Sequence, residues 1–171
     1  TEMEMASKAG ASFATVLGVA SDATIKECIE VGQNYGIQVV VDLVGHPDPV
    51  ARARQVAAFG ASAVGVHCPI DQQMLGQDPF DTLRAVRQAV KITVTVAGGI
   101  TGETAPEAVS AGADIVIVGG AITKSPDARG ATAAIAAALA SGRPAPTGDF
   151  KRYGADDLAA AFARVSTPNV S

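Results

Sequence analysis

An aspartate and a histidine each close a run of small or branched residues in this chain, Val39-Val40-Val41-Asp42 and Val64-Gly65-Val66-His67. A carboxylate interrupting an apolar run must be paired, solvated or bound to something. An imidazole near neutrality is suited to moving a proton at a carbon beside a carbonyl. Two glycine pairs end two further runs, Val94-Thr95-Val96-Ala97-Gly98-Gly99 and Ile115-Val116-Ile117-Val118-Gly119-Gly120. Glycine leaves the backbone amides bare, so an anion can approach them closely. With a helix expected shortly after each pair, the two turns together predict a cup for a phosphate group. Plainer readings stand beside these. Either pair could simply permit a tight turn, Asp42 could sit in a structural ion pair, and His67 could line a strand end with no chemical task.

Other polar residues carry less. His46, in Gly45-His46-Pro47-Asp48, reads as an exposed loop residue, and Asp71 and Gln72 read as turn and cap residues. No His or Cys spacing resembles a zinc site, and the strand ends show too few carboxylates for Mg²⁺. Cys28 and Cys68 stand apart without a Cys-x-x-Cys pattern, so reduced thiols are expected.

The elements that must position these residues alternate along the chain. The sequence opens in a helix closed by Gly10, and strand Phe13 to Leu17 follows. Ser21 or Asp22 caps a helix ended by Gly36, and strand Ile37 to Leu43 comes next. Asp48 and Pro49 start a helix ended by Gly60, before strand Ala63 to Val66. Asp78 and Pro79 repeat that signal for a helix through Val90, followed by strand Ile92 to Ala97. A helix from Glu103 to Ala111, strand Asp114 to Val118 and a helix from Asp127 to about Ala140 complete the order. The sequence Lys8-Ala9-Gly10-Ala11 recurs in type as Ala58-Phe59-Gly60-Ala61 and Ser110-Ala111-Gly112-Ala113, each marking a helix-to-strand passage. Strand ends at Gly18, Asp42, His67, Gly98 and Gly119 lie about 20 to 30 residues apart, the spacing of βαβ crossovers. The pattern predicts an α/β fold with a parallel sheet, open or closed. In such folds ligands gather at the carboxyl ends of the strands, and the last two strands of an eight-stranded barrel recurrently hold phosphate.

Composition narrows the classes. With 48% hydrophobic and 18% charged residues, the 171-residue chain can bury one substantial core and is not disordered. A net charge of -4 and the absence of Trp offer nucleic acid neither a basic surface nor stacking platforms. No apolar run is long enough to span a membrane, and the expectation is a soluble, cytoplasmic protein. Residues 1–142 read as the barrel part and 143–149 as a stiff polar linker, with a short amphipathic helix and tail over residues 150–171.

The ordered set Val41-Asp42-Leu43, Val66-His67-Cys68-Pro69-Ile70-Asp71, Val96-Ala97-Gly98-Gly99-Ile100 and Val118-Gly119-Gly120-Ala121-Ile122-Thr123 resembles the 3-hexulose-6-phosphate synthases of the orotidine-phosphate decarboxylase superfamily. The resemblance covers about Thr1 to Ala140. It implies a (β/α)8 TIM barrel of the ribulose-phosphate-binding type, of which strands four to eight are present. It also implies an aldolase-type lyase joining formaldehyde to D-ribulose 5-phosphate through a Mg²⁺-stabilised enediolate. His67 would then move the proton, Asp42 would contact the substrate's polar groups, and Gly98, Gly99, Gly119 and Gly120 would hold its phosphate. The related 3-keto-L-gulonate-6-phosphate decarboxylases typically have Glu at position 42 and Arg at position 70, where this chain has Asp42 and Ile70. Ribulose-phosphate epimerases usually carry an acid where Ala97 stands. An alternative of another class is a non-catalytic sugar-phosphate-binding domain.

The family's Asp-x-Lys-x-x-Asp motif, with a metal ligand and the catalytic lysine, belongs just before Thr1 and is not in this sequence. The 171 residues alone are therefore expected to be inactive, with the Mg²⁺ ligands upstream. A longer chain, a shortened one, or a second chain completing the barrel would each account for this. The resemblance further implies a homodimer, and the stretch from Phe150-Lys151-Arg152-Tyr153 to Ser171 resembles a junction to an RraA-like appended domain.

Overall fold

Short polar side chains set where three of the helices begin. Ser21 Oγ accepts from the Thr24 amide at 3.2 Å, Asp48 Oδ1 from Ala51 at 2.9 Å and Asp127 Oδ1 from Gly130 at 2.9 Å. Each satisfies an amide that the first helical turn leaves without a partner. The computed structural model describes residues 2–146. In order, its elements are α1 (Glu2–Lys8), β1 (Phe13–Leu17), α2 (Asp22–Tyr35), β2 (Gln38–Asp42), α3 (Pro49–Ala58), β3 (Ala63–His67) and α4 (Ile70–Met74). Then come α5 (Phe80–Ala89), β4 (Thr93–Ala97), α6 (Ala105–Ser110), β5 (Ile115–Val116), α7 (Gly120–Thr123) and α8 (Ala128–Ser141).

The strands form one parallel sheet in sequence order, β1-β2-β3-β4-β5. Leu17 lies opposite Asp42, Asp42 opposite Gly65, His67 opposite Ala97, and Val96 opposite Val116. Because every pairing is parallel, all carboxyl ends emerge on one rim. Side chains alternate between the two faces. Val39, Val41, Val64, Val66, Val94 and Val96 are at most 2% exposed and share one core with Ile25, Ile29, Val56, Leu83 and Val86 of the helices. The alternate positions, among them Val40, Asp42, Gly65, His67, Thr95 and Ala97, occupy the other face.

Both edge strands among the described residues carry exposed apolar side chains on that second face. Phe13, Leu17 and Ile117 are each about half exposed. The start of β5 is held by Asp114, whose Oδ2 accepts from the Val94 amide at 2.8 Å and from Arg87 Nη1 at 3.0 Å.

Several boundaries differ from the sequence pattern, three of them with a local reason. Asp71 and Gln72, expected in a turn, lie in the single turn α4, which begins after Pro69. α6 starts at Ala105 rather than Glu103, because Thr101 and Thr104 close a turn first: the Thr101 amide donates to Thr104 Oγ1 at 3.0 Å. β5 is shorter than expected, although the Asp114 and Ile117 amides still donate to Val94 and Val96 carbonyls on either side of it. The anticipated helix, tail and domain junction over residues 150–171 lie outside the described residues, as does the end of the linker.

Candidate active site

Asp42 and His67 are the last residues of β2 and β3, on the face away from the helices. Register alone brings them together, since Asp42 stands opposite Gly65 and His67 is two residues further along on the same face. Asp42 Oδ2 lies 3.1 Å from His67 Nδ1, and Asp42 Oδ1 accepts from the Val44 amide at 2.9 Å. Two contacts thus fix the carboxylate's plane. While Asp42 is ionised it can only accept, so the facing Nδ1 carries the proton and Nε2 is the basic nitrogen of the neutral ring. That is the arrangement of an oriented general base. At the neighbouring Gly65 a β-carbon would crowd Thr95 Oγ1 at 3.2 Å but would meet Asp42 Cα at an ordinary 3.5 Å.

His67 lines two cavities. One, of about 370 Å³, is walled by His67, Ile70, Gln73, Gly98, Gly99, Gly119, Gly120, Thr123 and Lys124 among others. It brings both glycine pairs to the histidine. Gly119 caps α7, and a β-carbon there would meet nothing within 4 Å, so this turn is open to an approaching group. Gly98 has a different reason to be glycine. Its φ is +99°, and a β-carbon would lie 2.2 Å from the Cys68 carbonyl oxygen. Gly98 thus lets the β4 turn close against the β3 turn, which Gln73 Nε2 holds by donating to the same carbonyl at 2.7 Å.

The second cavity, of about 300 Å³, lies between the β2 and β3 turns and includes His46, Cys68, Gln72 and Asp78. His46, expected to be exposed, is half-buried here, and its Nδ1 accepts from the Asp48 amide at 3.1 Å. Cys28 and Cys68 are not joined by a disulfide. Burial, and then the charges of Glu27 and Glu2, push the Cys28 thiol up from its ordinary value.

Lys124 and Gln73 were not singled out by the sequence. A lysine after a short apolar stretch reads as a solvated surface residue, and only the fold shows that Lys124 lines the cavity of the glycine pairs. Among the described residues no three His, Cys, Asp or Glu side chains come together to hold a metal ion. Nor is any described helix long and apolar enough to cross a membrane.

A sequence-ordered array of βα units, with an acid, a histidine and two glycine turns on its carboxyl rim, is the architecture of a TIM-barrel enzyme that binds its ligand at the strand ends. The chain belongs to the orotidine 5'-phosphate decarboxylase / HUMPS family, whose pattern matches residues 1–135. It is 42% identical over 135 residues to a 3-hexulose-6-phosphate synthase from Methylomonas aminofaciens, covering 78% of this chain and 65% of that protein. To the synthase of the same name from Staphylococcus haemolyticus it is 40% identical over 127 residues, covering 74% and 60%. A crystal structure of the 3-hexulose-6-phosphate synthase from Salmonella typhimurium superposes with a TM-score of 0.77 at 37% identity, covering 83% of this chain and 68% of that one. The chain spans 60 to 65% of the length of these two sequence relatives.

Proposed function

We propose that the protein is an aldolase-type lyase that condenses formaldehyde with D-ribulose 5-phosphate to 3-hexulose 6-phosphate, or runs the reverse cleavage. One observation carries the reading: His67, which Asp42 holds at 3.1 Å, lines the same cavity as both glycine turns. The names of its relatives support the choice of reaction. In the condensation, His67 Nε2 takes the proton from the hydroxyl-bearing carbon beside the ketone. The resulting enediolate carbon attacks the formaldehyde carbon, and the new alkoxide takes up a proton. Asp42 holds the ring's tautomer and stabilises the imidazolium that forms. Gly98, Gly99, Gly119 and Gly120 would hold the phosphate, with Lys124, which lines the same cavity, as its cationic neighbour.

The Mg²⁺ implied by the resemblance is proposed for the whole protein only, since the described residues do not assemble its site. The protein is likewise proposed to act in the cytoplasm as a homodimer on small molecules.

The test is an assay of the full-length protein with ribulose 5-phosphate, formaldehyde and Mg²⁺. His67→Ala is expected to lower turnover roughly 10²- to 10⁴-fold, the range for a lost general base. Full-length activity no higher than that of His67→Ala would reject the proposal. Sugar-phosphate binding without turnover would leave a non-catalytic binding domain instead.

A further inference from the structure

Arg52 of α3 is a charged side chain that the fold buries, 7% exposed, and nothing in the reaction uses it. A guanidinium taken out of water must have its donors matched. Here Nε donates to the Gly18 carbonyl at 2.7 Å and Nη2 to the Ala20 carbonyl at 2.8 Å, while Nη1 donates to Asp22 Oδ1 and Gln55 Oε1, both at 2.5 Å. Gln55 Nε2 closes the ring by donating to Asp22 Oδ2 at 2.7 Å. Three of the four acceptors belong to Gly18, Ala20 and Asp22, on the passage from β1 into α2.

Gly18 also abuts the backbone of Asp42. Its amide donates to the Asp42 carbonyl at 2.6 Å, and a β-carbon on it would lie 2.9 Å from that oxygen. The two backbones therefore meet as closely as packing allows. On the far side of the same residue, the Asp42 carboxylate holds His67.

We infer that Arg52 is a positioning residue for the Asp42–His67 pair, acting through Gly18. By gripping the Gly18 carbonyl it keeps the end of β1 seated on Asp42, and so fixes the aim of the carboxylate at the imidazole. This rests on the reading of Asp42 and His67 as the working pair. A small misplacement of a catalytic group can cost on the order of 10²-fold in rate, so a residue remote from the chemistry can register in turnover.

The test compares Arg52→Met, Arg52→Lys, Gly18→Ala and Asp22→Asn in the full-length protein, by steady-state kinetics, thermal melting and the NMR resonance of His67 Nδ1. Arg52→Met and Gly18→Ala are expected to lower kcat about 10- to 100-fold, with KM for ribulose 5-phosphate held within about twofold, and to shift the Nδ1 resonance. Arg52→Lys keeps the charge but loses the planar fork, and is expected to shift the resonance less. Asp22→Asn retains an acceptor for Nη1 and is expected to change the melt but neither kcat nor the resonance. Wild-type kcat and resonance in folded Arg52→Met overturn the inference; if that variant does not fold, the same result in Arg52→Lys does so. An equal fall in Asp22→Asn also overturns it, because the effect would then follow lost stability. The resonance does not depend on which reaction is catalysed. Full turnover in His67→Ala would therefore reject the proposed function and leave the resonance result intact.

Discussion

In the proposed reaction His67 needs one nitrogen committed and the other available, and the Asp42 carboxylate is placed to arrange this. Asp42→Asn keeps the size but offers an amide that can either donate or accept, which permits the wrong tautomer. Turnover is expected to fall roughly 10²-fold or more with sugar-phosphate binding little changed, read by comparing kcat with calorimetric affinity. Lys124→Met should do the opposite. Removing a cation from beside a phosphate is expected to weaken binding about tenfold, as hydrogen bonds to charged groups contribute about 1.5–3 kcal/mol, while Lys124→Arg should retain most of it. Unchanged affinity in Lys124→Met would place the phosphate elsewhere. Asp42 and His67 were legible because each breaks an apolar strand at its end, where a polar side chain needs a reason. Lys124 was not, since nothing local distinguishes it from an exposed lysine. Gly98 carries a second demand that its neighbours in sequence do not reveal: its closeness to the Cys68 carbonyl excludes every larger side chain.

The helices begin where short polar residues precede them, so most element starts could be read directly. Asp48 is the clearest case, with Pro49 in the first turn behind it. Asp48→Ala is expected to destabilise the protein by about 1 kcal/mol, seen as a lower melting temperature or denaturant midpoint. Because α3 carries Arg52, this also offers a check on how tightly that helix is coupled to the rim. The elements that escaped are the short ones. α4 is a single turn, too brief for any periodicity to show, and α7 follows directly on Gly119 without a polar cap. Turn formation by Thr101 and Thr104 delayed α6, a local competition that hydrophobic spacing does not register.

Across the whole molecule, the sheet's two faces carry different burdens. The helix-facing valines make the core, whereas the other face bears the site and the exposed Phe13, Leu17 and Ile117. Val64→Ala is expected to cost about 1.5–3 kcal/mol, and Ile117→Ser less than about 1 kcal/mol, measured by denaturant unfolding. Comparable losses would mean that the second face is packed in the full-length protein. The parallel order of the sheet was legible because helices and strands alternate at crossover spacing. Closure was not, because periodicity reports that a strand is buried but not what lies across from it.

The alternation of faces also bears on how such a protein can change. The helix-facing valines and the candidate site residues Asp42 and His67 sit on opposite sides of the same strands. Under the proposed function, a replacement at position 42 or 67 therefore meets the ligand before it meets the helix-facing core. Selection can try a new acid or a new base on this rim without reopening the question of whether the sheet holds together.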